Sequence, residues 1–207
     1  MHSSLNEHFQ KALQIYTQGD HYDTLLEAKK EYFTITGQAN DDDDDFEARM
    51  NSFNEWYVLQ FISARGTRTV ISDYLTKNQV EDFLAKSFTG VNYSLFEYIG
   101  KNFRGLDTLY DMLHDKKITL PKGAILPSII KDDIFVGRVL TYEEQNFLMN
   151  GLCVIPKEVR SILKKECKKV RKLKNPQEEL KFLLKIESYK TKWIRYGHVD
   201  ATKIFIF

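Results

Sequence analysis

The stretch that decides the fold is NYSLFEYIGK, residues 92–101. Before it, apolar side chains recur at helical spacing. Here aromatic and branched residues, broken singly by Asn92, Ser94 and Glu97, fill the interval between Gly90 and Gly100, which is how a strand reads. The chain therefore turns from helix to sheet near its midpoint, and an α+β class follows.

Downstream, residues 117–120, 124–130, 134–142 and 146–156 are β-prone. Residues 134–141 and 147–154 pair as a hairpin through Tyr142-Glu143-Glu144-Gln145, and the glycine in Gly137-Arg138 marks a bulge or a close backbone contact. Within this region Leu106, Leu109, Tyr110 and Leu113 keep a helical interval, so a short helix is predicted over 106–114. A small antiparallel sheet, half-barrel in shape, accounts for the rest.

Upstream, Leu5, Phe9, Leu13 and Tyr16 predict a helix over 4–19 that Gly19 ends, and Leu25, Leu26, Ala28 and Tyr32 predict a second over 22–33. Residues 46–62 are the most apolar helix, with Phe46, Met50, Phe53, Tyr57 and Phe61 in period and Trp56 beside them. Short helices follow at 70–76 and 80–87 after a turn at Arg65-Gly66-Thr67. The five aspartates Asp41 to Asp45 repel one another and form a solvated loop, the last of them placed to cap the core helix. Beyond Pro156 helix returns over 157–174, breaks at Asn175-Pro176, and resumes over 177–196. The tail 203–207 is a final strand or an apolar plug. Three regions result, a helical 1–88, a β-rich 89–156 and a basic helical 157–207, forming one compact unit or two subdomains.

A formal net charge of +1 conceals an asymmetry: residues 1–100 carry 8 Lys and Arg against 16 Asp and Glu, and residues 101–207 carry 22 against 13. Such opposition either holds parts of one fold together or marks a basic surface for a polyanion. Cys153 and Cys167 are the only cysteines, too few and too far apart for a disulfide framework or a zinc or redox motif. The N-terminus lacks a basic, then apolar, leader, and no window reaches the ~18 apolar residues of a bilayer span. These features point to a cytoplasmic protein.

The motifs FNEWYVLQF (53–61), SLFEYIG (94–100), LDTLYDMLHDKK (106–117) and DDIFVGRVL (132–140) together resemble, over about residues 46–160, a group of uncharacterised bacterial proteins labelled SecA-related because many carry a cysteine-rich SEC-C zinc motif. The resemblance implies a bacterial cytoplasmic origin and a helical region joined to a small β-rich module. The zinc-binding cysteine cluster is missing here, so no metal site carries over.

Among candidate sites the basic helix leads. Residues 157–174 hold Lys157, Arg160, Lys164, Lys165, Lys168, Lys169, Arg171, Lys172 and Lys174 against Glu158 and Glu166. Such a surface binds phosphate backbones with strong salt dependence and little sequence preference; a solvated helix face has the same composition. Lys192, Trp193 and Arg195 interleave cations with an aromatic, the combination that stacks single-stranded bases, and also an ordinary helix C-terminus. Candidate binding residues are thus Lys164, Lys165, Lys168, Arg171, Lys172, Lys192, Trp193 and Arg195. His21 with Asp23, and Asp111 with His114 and Asp115, are the close His and carboxylate groupings; two ligands close no metal site, and a pair without a nucleophile performs no acyl transfer. No cofactor motif accompanies them. The expected function is a non-enzymatic binding or adaptor protein that engages nucleic acid or an acidic protein surface through its C-terminal helices. The alternatives are an interaction module using the β-rich middle, and a metal-dependent hydrolase whose site is assembled from distant carboxylates with His114 or His198.

Overall fold

The computed structural model describes residues 2–64, 66–124, 126 and 129–207. The decisive stretch is strand β1, Asn92–Lys101. It is preceded by five helices, α1 (Ser3–Tyr16), α2 (Tyr22–Thr36), α3 (Phe46–Leu59), α4 (Val70–Lys77) and α5 (Asp82–Thr89). After it come β2 (Asp107–Asp111), β3 (Lys116–Thr119), β4 (Ile134–Tyr142), β5 (Gln145–Leu148) and β6 (Cys153–Ile155), then α6 (Arg160–Leu173) and α7 (Pro176–Tyr196). The turn expected at 65–67 and the β-prone run at 124–130 include Arg65, Ile125, Pro127 and Ser128, which lie outside the described residues.

The sheet is antiparallel throughout, in the order β3-β2-β1-β4-β5, with β6 also on β4. Its two end strands approach each other: Asn146 Nδ2 on β5 donates to the Thr119 carbonyl on β3 at 3.1 Å. The result is a half-barrel whose concave side holds Phe96, Leu109, Ile118, Phe135 and Leu148. Leu95, Ile134 and Val136 project the other way and pack under Leu163, Cys167, Leu183, Ile186 and Phe205. Period-two alternation on β1 and β4 thus supplies both layers, as expected of strands covered on both sides. The N-terminal helices form a third cluster around Phe53, Tyr57 and Phe88, into which Leu140 and Met149 of the sheet region and Leu184 of α7 insert.

One segment departs from its sequence reading. Residues 106–114 contain strand β2 and a turn where a helix was predicted. Only five residues separate β1 from β2, and Asn102 ties them into a tight turn by accepting from the amides of Arg104 (2.9 Å) and Leu106 (3.1 Å). The chain is thereby returned along β1, whose backbone groups need partners. That pairing outweighs a weak local helical preference. Leu109 then faces the concave side and Tyr110 the convex one, while Met112 and Leu113 turn into the convex cluster past the strand end.

Smaller corrections follow the same logic. Asp45 occupies the position before α3 but its side chain makes no capping bond; Asp43 instead accepts from the Asn40 amide at 2.8 Å. Gly137 sits in regular register rather than in a bulge, opposite Ser94, and its contact is with a side chain: a Cβ there would lie 2.8 Å from Leu152 Cδ2. The tail is a plug, not a strand, with Phe205 buried and Phe207 packed on Phe182 and Tyr189. Among the described residues no helix is long and apolar enough to cross a membrane.

Candidate polyanion interface

Helix α6 packs on the convex face of the sheet through Leu163 and Cys167, and burial pushes the Cys167 thiol up to about 12. At 100° per residue, Arg160 and Arg171 fall on the shoulder of that buried stripe, while Lys164, Lys165, Lys168 and Lys172 fall farther round. The two kinds of cation then behave differently. Arg160 Nη2 pairs with Glu97 on β1 at 2.6 Å. Arg171 donates to the carbonyls of Leu113 (2.6 Å) and Met112 (3.0 Å) and pairs with Asp115 at 2.6 Å. Both guanidiniums are spent as planar forks that fix the helix on the sheet.

The four lysines are exposed and, among the described residues, make no ion pair. Lys169 is the exception on that side, held by Glu166 at 2.7 Å. Lys164, Lys168 and Lys172 stand one turn apart in a single row, at about 6 Å intervals along the axis. Lys164–Lys168, Lys168–Lys172 and Lys165–Lys169 are like-charge i, i+4 pairs, each costing the helix about 0.2–0.5 kcal/mol.

The predicted residues at the end of α7 are used within the fold. Arg195 donates to the Gln38 carbonyl at 2.8 Å, tying α7 to the end of α2. Trp193 is half-buried against the convex cluster, with Lys190 5.1 Å from its ring centre, and Lys192 lies 5.7 Å from the Tyr189 ring. The structure therefore groups Lys164, Lys165, Lys168 and Lys172 as one free surface and gives Arg171 and Arg195 to internal contacts.

Of Asp111, His114 and Asp115, the first two come together at the turn after β2, while Asp115 is held by Tyr110 and Arg171 instead. Asp111 is fully buried; burial opposes its ionisation, but hydrogen bonds from His114, Ser94 and Asn92 outweigh that and hold its carboxyl below the usual range. His114 Nδ1 lies 2.9 Å from Asp111, and its Nε2 faces Glu179 of α7 at 3.5 Å. The hydrogen bond to Asp111, more than offsetting burial, raises the imidazole above its ordinary value. Ser94 Oγ donates to Asp111 at 2.5 Å and does not meet the Nε2 edge of the ring. In a nucleophilic triad the carboxylate holds one imidazole nitrogen and the hydroxyl meets the other, and that geometry is not present at these residues. The cluster latches the β2–β3 turn to α7. Among the described residues no group of three or more His, Cys, Asp or Glu is placed to hold a metal.

A second polar cluster was not anticipated from the sequence. Arg138, completely buried on β4, lies 4.1 Å over the Tyr93 ring, donates to Gln60 at 2.9 Å and approaches Glu55 of α3 at 3.5 Å. Glu187 of α7 accepts from Tyr93 at 2.6 Å, from Tyr32, and from Ser52 at 3.3 Å. Burial raises the Glu55 carboxyl to about 7, against the opposing pull of Arg138 and the amides of Gly151 and Asn150. Ser52 and Glu187 also border a cavity of about 110 Å³. Every carboxylate oxygen and hydroxyl here is occupied by a neighbour, while Arg138 Nη2 is buried with no hydrogen-bond partner among the described residues; the cluster pins α2, α3 and α7 to the sheet. Its one sequence signal is a charged residue inside an otherwise apolar run, Arg138 in IFVGRVL and Glu55 in FNEWYVL.

No curated protein and no solved structure matches the chain. A family model does match, over residues 7–192, a span that takes in every strand described above, all of α2 to α6 and most of α1 and α7. The chain belongs to that family, described as a family of unknown function, DUF7986.

Proposed function

We propose that this chain is a non-enzymatic binding protein that holds a polyanion, a nucleic-acid phosphate backbone, on the lysine face of α6. The observation that carries the reading is the division of labour on that helix: its arginines are consumed in holding it to the sheet, and Lys164, Lys165, Lys168 and Lys172 are left exposed and unpaired among the described residues. A row of like charges costs helix stability and returns nothing inside the fold. Phosphates supply the missing counter-charge, and release of their condensed counterions drives association. The face carries no reading head for base edges, so binding is sequence-tolerant. A cytoplasmic setting belongs to this proposal and suits the two free thiols, Cys153 and Cys167.

The test is a fluorescence-anisotropy titration of a labelled oligonucleotide at 50 and 200 mM salt, with wild type and with the triple variant Lys164→Gln/Lys168→Gln/Lys172→Gln. Wild type binds at low salt and weakens steeply at high salt, and the variant loses most of that affinity. Absence of binding at 50 mM salt, or affinity that ignores salt, overturns the proposal.

A further inference from the structure

Phe103 is 94% exposed, at the tip of the β1–β2 hairpin. A phenylalanine left in water is commonly a loose loop residue, but this tip is built. Asn102 accepts from the amides of Arg104 and Leu106, its own amide donates to the Leu106 carbonyl at 2.9 Å, and the Gly105 amide donates back to the Asn102 carbonyl at 2.9 Å. A bulge between Tyr98 and Gly100, with Gly100 at φ +86°, turns the tip out of the sheet's regular path. The Arg104 guanidinium lies 5.3 Å from the Phe103 ring centre. Beside the ring is a groove of about 320 Å³, lined by Ile99, Thr108, Thr119 and Lys117 on the convex face.

Two ion pairs of α6 land on the strand and turn that lead to this groove. Arg160 reaches Glu97, two residues before Ile99 on the same strand, and Arg171 reaches Asp115, two residues before Lys117. Lys168 also adds to the positive field at Asp115. Three of the acids beside it are paired, Glu97 with Arg160, Asp115 with Arg171 and Asp107 with Lys101 at 2.8 Å, while exposed Asp132, close enough to act on Arg160, makes no ion pair among the described residues. Lys117 and Arg104 are exposed and, among the described residues, pair with no carboxylate. A track of uncompensated positive charge thus leads from the lysine row of α6 past β3 to a groove that ends at an exposed aromatic ring.

From this we infer that the polyanion is single-stranded nucleic acid, its backbone following the track from α6 while one unstacked base enters the groove and stacks on Phe103. The inference rests on the polyanion reading of α6 and narrows it. Charge alone serves a duplex and a single strand equally, whereas an exposed ring beside a base-sized groove has a use only for a base that is free of its own stack.

The experiment compares a labelled oligothymidylate with a duplex of the same length, for wild type, Phe103→Ala and Phe103→Trp. Phe103→Ala weakens single-strand binding at least about fivefold, the lower end of base–aromatic stacking, and leaves duplex binding within twofold. Phe103→Trp restores single-strand binding, and its fluorescence is quenched by the oligothymidylate. Because the ring touches little of the fold, both variants keep the wild-type melting temperature. Equal affinity of Phe103→Ala and wild type for the oligothymidylate, or an equal loss toward both ligands, overturns the inference while leaving the α6 reading in place. Wild type that binds neither ligand overturns both.

Discussion

Glu55→Gln isolates the buried carboxyl that faces Arg138, and its effect depends on pH in a way the structure sets. Glu55 is fully buried and its carboxyl lies at about 7 against 4.5 for the free side chain, with burial the dominant cause. A carboxyl raised in the folded state contributes stability that is complete below the unfolded value and is lost as pH climbs through the folded one, because the unfolded chain releases its proton first. At about 1.4 kcal/mol per unit, the wild-type protein loses about 3 kcal/mol between pH 4.5 and pH 8 from this group. Glutamine keeps an oxygen for the Gly151 amide, which Glu55 now accepts at 2.6 Å, and does not titrate. Urea unfolding of wild type and variant at pH 5, 6, 7 and 8 therefore shows the variant gaining on wild type with each step, by about 2 to 3 kcal/mol across the series. A stability difference that stays constant across that range refutes the assignment of a neutral-pH titration to Glu55, and with it the claim that burial outweighs Arg138 there.

His114→Ala removes the latch between the β2–β3 turn and α7. Since the Asp111 hydrogen bond raises the wild-type imidazole, that latch is complete below pH 6.5 and is lost as pH rises through the elevated value. Wild type therefore melts progressively lower from pH 6 to 8 in a thermal scan, and the variant loses this component. On α6, Arg171→Gln costs about 1.5–3 kcal/mol in urea unfolding, as expected for charge-assisted bonds to buried carbonyls, while Lys168→Gln changes stability by less than about 0.5 kcal/mol. Gly151→Ala places a methyl 2.6 Å from the Ser52 backbone, whereas Gly137→Ala meets side chains, the movable end of Leu152 at 2.8 Å and the Phe135 ring at 3.3 Å. Gly151→Ala therefore costs at least about 2 kcal/mol in the same assay and more than its counterpart.

What could be read in advance was whatever the chain states locally. Residues 92–101 announce a strand because they are rich in aromatic and branched residues and bounded by glycines, and α7 begins where Asn175-Pro176 says it should, the asparagine side chain accepting from the Gln177 amide at 2.9 Å. The helix predicted over 106–114 failed because its spacing is a property of a few residues, while the pairing that overrides it depends on a turn closed by Asn102. The Glu55–Arg138 and Glu187–Ser52 contacts join residues 83 and 135 positions apart, and no local pattern records such a meeting. The basic helix was legible as a charge run, but not the split between its arginines and its lysines. That split depends on angular position relative to Leu163 and on Glu97 and Asp115 waiting beneath the shoulder. Nor does the acidic loop at 41–45 receive the helix: of the opposition of charge between the two halves, α6 uses the pair of Arg160 with Glu97, and its other anchor, Asp115, lies in the basic half itself. Phe103 carried no signal because its exposure is a consequence of the bulge and turn beneath it.

The most direct test of the lysine face is the salt dependence of oligonucleotide affinity, measured as the slope of log K against log salt for wild type and for Lys164→Gln/Lys168→Gln/Lys172→Gln. Each lysine that neutralises a phosphate on a single strand contributes about 0.7 to that slope. The three substitutions therefore flatten it by about 2 while the urea midpoint stays at or above that of wild type, since three like charges have been removed from one helix. Identical slopes for the two proteins would contradict the central claim.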